Sequence, residues 1–164
     1  MTKGLLGLAL LSSLLLSSYS WAATSTTTLG ITANVISVCI SLTATSLAFG
    51  NYDPTSATST DNTNTFSVRC TLDNSYSIAL NGGTTSGGTV SLRKMTDGSD
   101  TLNYNLYTST GRSTIWGDGT GGTSTVAGTG TGLTQNYTIY GRASAQQTSP
   151  AGSYSDIITI TVTY

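Results

Sequence analysis

The sequence predicts an all-β fold, a sandwich of antiparallel sheets, and three observations carry that reading. Beyond residue 22, short apolar runs of period two recur, and helical periodicity is hard to find. Clusters of Gly, Asn, Asp and Ser separate these runs, as turns require. Nine tyrosines and many β-branched residues stand in a chain with 57 Ser and Thr and 19 Gly among 164 residues, which argues for sheet over low-complexity disorder.

Residues 1–22 carry Lys3, an apolar run from Leu5 to Leu16 and the sequence Ser20-Trp21-Ala22. This is the pattern of a secretory signal peptide cleaved after Ala22, with Ala23 the next candidate. A membrane anchor is the competing reading, but the run is shorter than the roughly 20 residues that span a bilayer. Residues 23–37 read as an N-terminal arm and 38–164 as one domain. In the arm, Leu29, Ile31, Ala33 and Val35 alternate with small polar residues and would share one face of an extended strand. Gly30 and the three threonines before Leu29 suit a free arm; the alternative is that it folds back as a strand of its own domain.

Strands are expected at Val38 to Leu42, Ser46 to Tyr52, Asn64 to Leu72, Tyr76 to Asn81, Thr89 to Met95, Leu102 to Thr108, Gln135 to Gly141 and Tyr154 to Tyr164. One face of these runs is apolar. It comprises Phe66, Val68, Cys70 and Leu72, then Tyr76, Ile78 and Leu80, then Leu102, Tyr104 and Leu106, then Tyr137 and Ile139, and finally Ile158, Ile160, Val162 and Tyr164. Two sheets packed through such faces make a sandwich, with a closed barrel as the alternative. Asn81-Gly82-Gly83, Asp97-Gly98 and Gly117-Asp118-Gly119 supply hairpin turn chemistry, and the Gly/Thr/Ser-rich Gly117 to Gly132 reads as a long surface loop. Trp116 reads as a core or turn anchor. The last run has no strand after it to pair with, so a spare strand at one end and a vacancy at the other point to polymerisation.

Cys39 and Cys70 are the two cysteines, and an exported chain meets an oxidising compartment, so they are expected to form a disulfide. Closing a ring of about 32 residues stabilises the fold by roughly 3.5 to 4 kcal/mol on chain-entropy grounds.

Without the leader the chain holds five basic residues against seven aspartates, a net charge of −2. That balance gives no reason to expect nucleic acid as a partner. Glutamate and histidine are absent, which removes the usual general acids and bases, and no catalytic constellation is visible. The chain is therefore not expected to be an enzyme. Asp118 falls short of the six to eight oxygens of a calcium site, and the Gly-rich stretches do not end in the Lys-Ser or Lys-Thr of a phosphate loop. No cofactor or metal is expected. The sequon Asn136-Tyr137-Thr138 lies inside an expected strand and reads as a chance match.

A set of short motifs occurs in order: Cys39, Phe49-Gly50-Asn51-Tyr52, Cys70-Thr71, Tyr104-Asn105-Leu106-Tyr107, Trp116-Gly117-Asp118-Gly119 and Tyr140-Gly141-Arg142. It closes with Gly152-Ser153-Tyr154-Ser155-Asp156 leading to Val162-Thr163-Tyr164. Together they resemble the spore coat U domain family, subunits of archaic chaperone–usher pili, over essentially the whole chain after the leader. The resemblance implies an incomplete immunoglobulin-like β-sandwich that lacks its last strand and is completed by donor-strand exchange. It implies as partners a periplasmic chaperone, an outer-membrane usher, other copies of the chain and neighbouring minor pilins. The product would be a pilus on the cell surface, serving attachment and biofilm formation.

On that resemblance the donor strand is Thr26 to Val35, with Leu29, Ile31, Ala33 and Val35 entering successive pockets. The register is open by one or two pockets, and Thr27 is a candidate for a fifth. A minor adaptor, a tip adhesin or a spore or cyst coat protein are the alternatives. Tip subunits usually carry an extra N-terminal receptor domain, for which this chain is too short.

Overall fold

The computed structural model describes residues 21–164, and of Ser41 and Leu42 the backbone alone. Residues 1–20 of the expected signal peptide lie outside the described residues. The chain divides into a unit ending at Asn34 and a unit Val35–Tyr164. In the first, residues 21–34 form no strand or helix and are exposed.

The second unit holds eight strands: β1 (Cys39–Ala44), β2 (Thr60–Cys70), β3 (Ser75–Leu80), β4 (Arg93–Thr96), β5 (Thr101–Tyr107), β6 (Val126–Thr129), β7 (Thr134–Ala143) and β8 (Ile160–Thr163). They form two separate sheets, of order β1-β2-β7-β5-β4 and β6-β3-β8, with every pair antiparallel. The arrangement is a sandwich and not a closed barrel.

Period-two alternation places the core. Phe66, Val68 and Cys70 of β2, Tyr76, Ile78 and Leu80 of β3, and Leu102, Tyr104 and Leu106 of β5 are all buried on the inner faces. Trp116 fills the space between the sheets: its ring lies 5.8 Å from Phe66, and its Nε1–H donates to the Ile78 carbonyl at 3.0 Å. Burying a side chain of this kind contributes about 1.5 to 3 kcal/mol, and satisfying the indole N–H avoids a desolvation cost.

Five expectations are corrected. The expected strand Tyr154 to Tyr164 shrinks to β8, because before Ile160 the backbone is paired only by a bridge from Ser155 to Thr96 and by Asn81 at Thr159. Ser46 to Tyr52 is not a strand: the β1–β2 register shifts between Leu42 and Ala44, and β2 side chains hold the segment beyond it. The Asn64 Nδ2 donates to the Ser46 carbonyl at 2.7 Å and to Thr45 Oγ1 at 2.9 Å, and Asn62 Nδ2 donates to the Ala48 carbonyl. Thr89 to Met95 shrinks to β4, because Thr89 and Leu92 exchange two backbone hydrogen bonds in a tight turn. Gly117 to Gly132 is not one long loop. Trp116 bridges to Ser124, and β6 pairs with β3 from Ser75↔Thr129 to Ile78↔Val126. Finally, Leu72 and Tyr164 are exposed: the chain turns after Cys70, with Asp73 at a φ of 60°, and Tyr164 lies past the end of β8.

Candidate functional site

β8 is an edge strand of the smaller sheet with a cleft beside it. β8 pairs with β3 over Ser77↔Thr163 to Leu80↔Ile160, and among the described residues no strand lies on its other edge. Ile158, Ile160 and Val162 pack against the core, while Ile157 is 69% exposed. Beside this edge runs a groove of about 600 Å³, walled by residues 44–49 on one side and 154–160 on the other. Its floor is apolar, built from Met95, Tyr104, Leu106 and Ile139. A second hollow of about 770 Å³ continues it between Leu47–Tyr52 and Ser149–Tyr154, sharing Leu47, Phe49, Met95 and Tyr154. At about 3.3 Å per residue, the seven-residue wall 154–160 spans about 20 Å, the length of one ordinary strand.

The failure of Ser46 to Tyr52 to become a strand belongs to this site. Leu47, Phe49 and Tyr52 pack against the core, while Asn62 and Asn64 hold the wall's carbonyls in place of a backbone ladder. Between the two walls lies apolar surface with no backbone ladder across it, the kind of edge and cleft at which extended segments can add.

Tyr104 on the floor donates its hydroxyl to Asp156 Oδ2 at 2.7 Å. Burial pushes the Tyr104 pKa up, and the Asp156 carboxylate beside it adds to the shift. Burial also works to raise the Asp156 pKa, but hydrogen bonds from Tyr104 and from backbone N–H groups of Thr84, Ile157 and Thr85 outweigh it and hold the carboxyl below its ordinary range. Behind them Arg93 is fully buried, donating through Nε to the Asn81 carbonyl at 2.9 Å and through Nη2 to those of Trp116 and Leu80 at 2.8 and 3.3 Å. Burial lowers its pKa, opposed by the fields of Tyr104, Asp156 and Asp118. Sequence reading passed over Arg93; the signal was there in the alternation, since it shares a strand face with Met95 and pairs with the inward Tyr104. No group of three metal-ligating side chains occurs among the described residues.

Of the residues singled out from sequence, Leu29, Ile31 and Val35 are 84%, 87% and 82% exposed and Ala33 is exposed as well; none lies in a strand. Cys39 and Cys70 are joined, their Cα atoms 4.1 Å apart, and they sit directly opposite each other in the β1–β2 register. The bridge therefore pins the chain to the sheet four residues after Val35.

Comparison with known proteins agrees with this architecture. The Spore Coat Protein U domain matches residues 25–161. Protein U of Myxococcus xanthus is 36% identical over 157 residues, covering 87% of each chain. Among solved structures, one chain matches with a TM-score of 0.58 and 24% identity, over 79% of this chain. It comes from the CsuC–CsuE chaperone–tip adhesion subunit pre-assembly complex of the archaic chaperone-usher Csu pili of Acinetobacter baumannii. This chain spans 40% of that one, and the likeness is one of fold. By the length and identity of these matches, the chain belongs to the Spore Coat Protein U domain family.

Proposed function

We propose that the chain is a structural subunit of a chaperone–usher surface pilus that polymerises by donor-strand complementation. The observation that carries this reading is the open groove along β8 in a chain whose exposed arm alternates apolar and small polar residues. An added strand would satisfy the free edge of β8 while the groove takes alternate side chains, the mode by which extended peptides bind sheet edges. Leu29, Ile31, Ala33 and Val35 of one copy enter the groove of the next. Each large side chain contributes roughly 1.5 to 3 kcal/mol on burial, so Leu29, Ile31 and Val35 outweigh Ala33.

Residues 1–22 direct export, 23–37 act as the donor arm, and 38–164 form the pilin domain. Before assembly a periplasmic chaperone covers the groove, an outer-membrane usher receives the subunit, and the fibre, with its minor pilins, serves attachment and biofilm formation. This is a binding and assembly role with no catalytic step. The match of residues 25–161 to the Spore Coat Protein U domain supports a second reading, in which the same polymer is laid down in a spore or cyst envelope.

The test is expression of the chain with its leader, intact and lacking residues 23–36, together with a periplasmic chaperone. The intact chain is expected to give ladders on unboiled detergent gels and thin fibres by electron microscopy, and the truncation a one-to-one chaperone complex. Two equally monomeric, chaperone-free products would contradict the proposal. Fibres on growing cells favour the pilus, and polymer confined to spores or cysts favours the coat.

A further inference from the structure

The terminal wall of the groove is poorly held by its backbone. Thr96 and Ser155 exchange two backbone hydrogen bonds of 2.9 Å, and Asn81 takes both backbone groups of Thr159, donating to its carbonyl at 3.2 Å and accepting its N–H on Oδ1 at 2.9 Å. Between these anchors, Asp156, Ile157 and Ile158 make no backbone hydrogen bond to another strand among the described residues. Three residues of the wall thus lack a ladder where they line the groove.

One side chain spans that gap. Asp156 Oδ1 accepts the backbone N–H groups of Thr84 at 2.8 Å and Thr85 at 3.1 Å, and their hydroxyls at 3.2 and 3.1 Å. Its Oδ2 accepts the Tyr104 hydroxyl from the groove floor. Five donors on one carboxylate make a charge-assisted set, stronger than neutral hydrogen bonds of the same number. Gly83 sits against the carboxylate at a φ of +89°, where any side chain would collide with it. The β3–β4 connection is therefore shaped around Asp156.

We infer that Asp156 is the positioning residue of the groove: it ties the wall to the β3–β4 connection and to Tyr104 so that Ile158 and Ile160 stand ready for an incoming strand. The inference rests on the pilin reading above and adds to it a cause for the groove's staying open. An unbraced wall of Ile157 and Ile158 would relax onto the apolar floor and fill the groove with the subunit's own side chains. A braced wall is preorganised, so the arriving strand does not have to order it. Once a strand is in place, its own ladder holds β8 and the wall, and the carboxylate matters less.

The test uses the full chain released from its chaperone, comparing the native chain with Asp156→Ala and Asp156→Asn. The rate of ladder formation and the melting of the finished polymer are measured separately. Asp156→Ala is expected to slow ladder formation about tenfold, as loss of a charged hydrogen-bond acceptor from the assembling state would. Asp156→Asn keeps an oxygen facing Thr84 and Thr85 and is expected to recover much of the rate. Melting of the finished polymers is expected to stay close to native in both.

A native rate for Asp156→Ala would overturn the inference. So would a parallel loss of rate and polymer melting with no recovery in Asp156→Asn, the mark of a merely structural role. Should Asp156→Ala fail to fold with the chaperone, Thr85→Val removes one hydroxyl donor. A smaller slowing supports the inference, and a native rate overturns it. A native chain that forms no ladders overturns the pilin reading itself, and is read from its own lane.

Discussion

β2 and β7 meet over ten registered pairs, from Thr60↔Ala143 to Arg69↔Thr134, whereas β8 meets β3 over four and has no strand on its other side among the described residues. The first region is closed by a continuous backbone ladder and backed by Phe66, Val68 and Ile139. In the second, side chains do what a ladder does elsewhere: Asn62 and Asn64 hold one groove wall, and Asp156 and Asn81 hold the other. One side of this sandwich is joined by a long backbone ladder, while the β8 side is an edge held by side chains, which is where the proposed donor strand would add.

That contrast can be broken from the closed side. Trp116→Ala is expected to cost about 3 to 5 kcal/mol by opening a cavity between the sheets and leaving the Ile78 carbonyl without its indole donor. Chaperone complexes and polymers should both disappear, which recovery of soluble chain with the chaperone measures. Breaking the Cys39–Cys70 bridge by Cys70→Ser is expected to cost roughly 3.5 kcal/mol through the loop it closes. Denaturant unfolding of the chaperone-free polymer under reducing and non-reducing conditions checks this.

Changes on the open side should spare the fold and affect assembly. Ile31→Ala is expected to weaken strand donation by roughly 1.5 to 3 kcal/mol, and Ala33→Ser to leave it nearly unchanged. Temperature series of ladder dissociation on detergent gels separate the two; equal effects would mean that the alternate side chains are not inserted.

The smallest effect belongs to a surface ion network, where Asp61 pairs with Arg142 at 2.7 Å and Arg112 at 3.1 Å. The Arg142 hydrogen bond holds the Asp61 carboxyl below its ordinary pKa against a smaller opposing effect of burial. A carboxyl depressed in the folded state stabilises fully above its unfolded pKa of about 4, and that stability is lost as pH falls through the lower folded value. For so exposed a pair the loss is about 0.2 to 1 kcal/mol. Asp61→Asn should remove this contribution to the pH dependence below about pH 4 and leave ladder formation at neutral pH untouched.

Much of the closed side was legible in the sequence. Phe66-Ser67-Val68-Arg69-Cys70, Tyr76 to Leu80 and Leu102 to Leu106 alternate cleanly because one face of each is buried. β6 was hidden because Val126-Ala127-Gly128-Thr129 has little side chain to alternate, and its glycine is set by its neighbours: a Cβ on Gly128 would lie 2.6 Å from the Tyr137 hydroxyl oxygen and from a ring carbon of Tyr76. The groove was legible only as a shortage of strands at the end of the chain. Its walls were not, since Asn62, Asn64 and Asp156 act through contacts between segments far apart in sequence, with Asp156 reaching Thr84 across 72 positions.

On the donor-strand proposal, the strand beside β8 comes from another copy. A density map of the assembled fibre at side-chain resolution tests it most directly. The account predicts a strand in the groove, paired with the free edge of β8, that traces into residues 26–35 of the adjacent subunit with Leu29, Ile31, Ala33 and Val35 facing the core. A groove filled by the subunit's own arm, or a β8 edge left unpaired in a formed fibre, would contradict it.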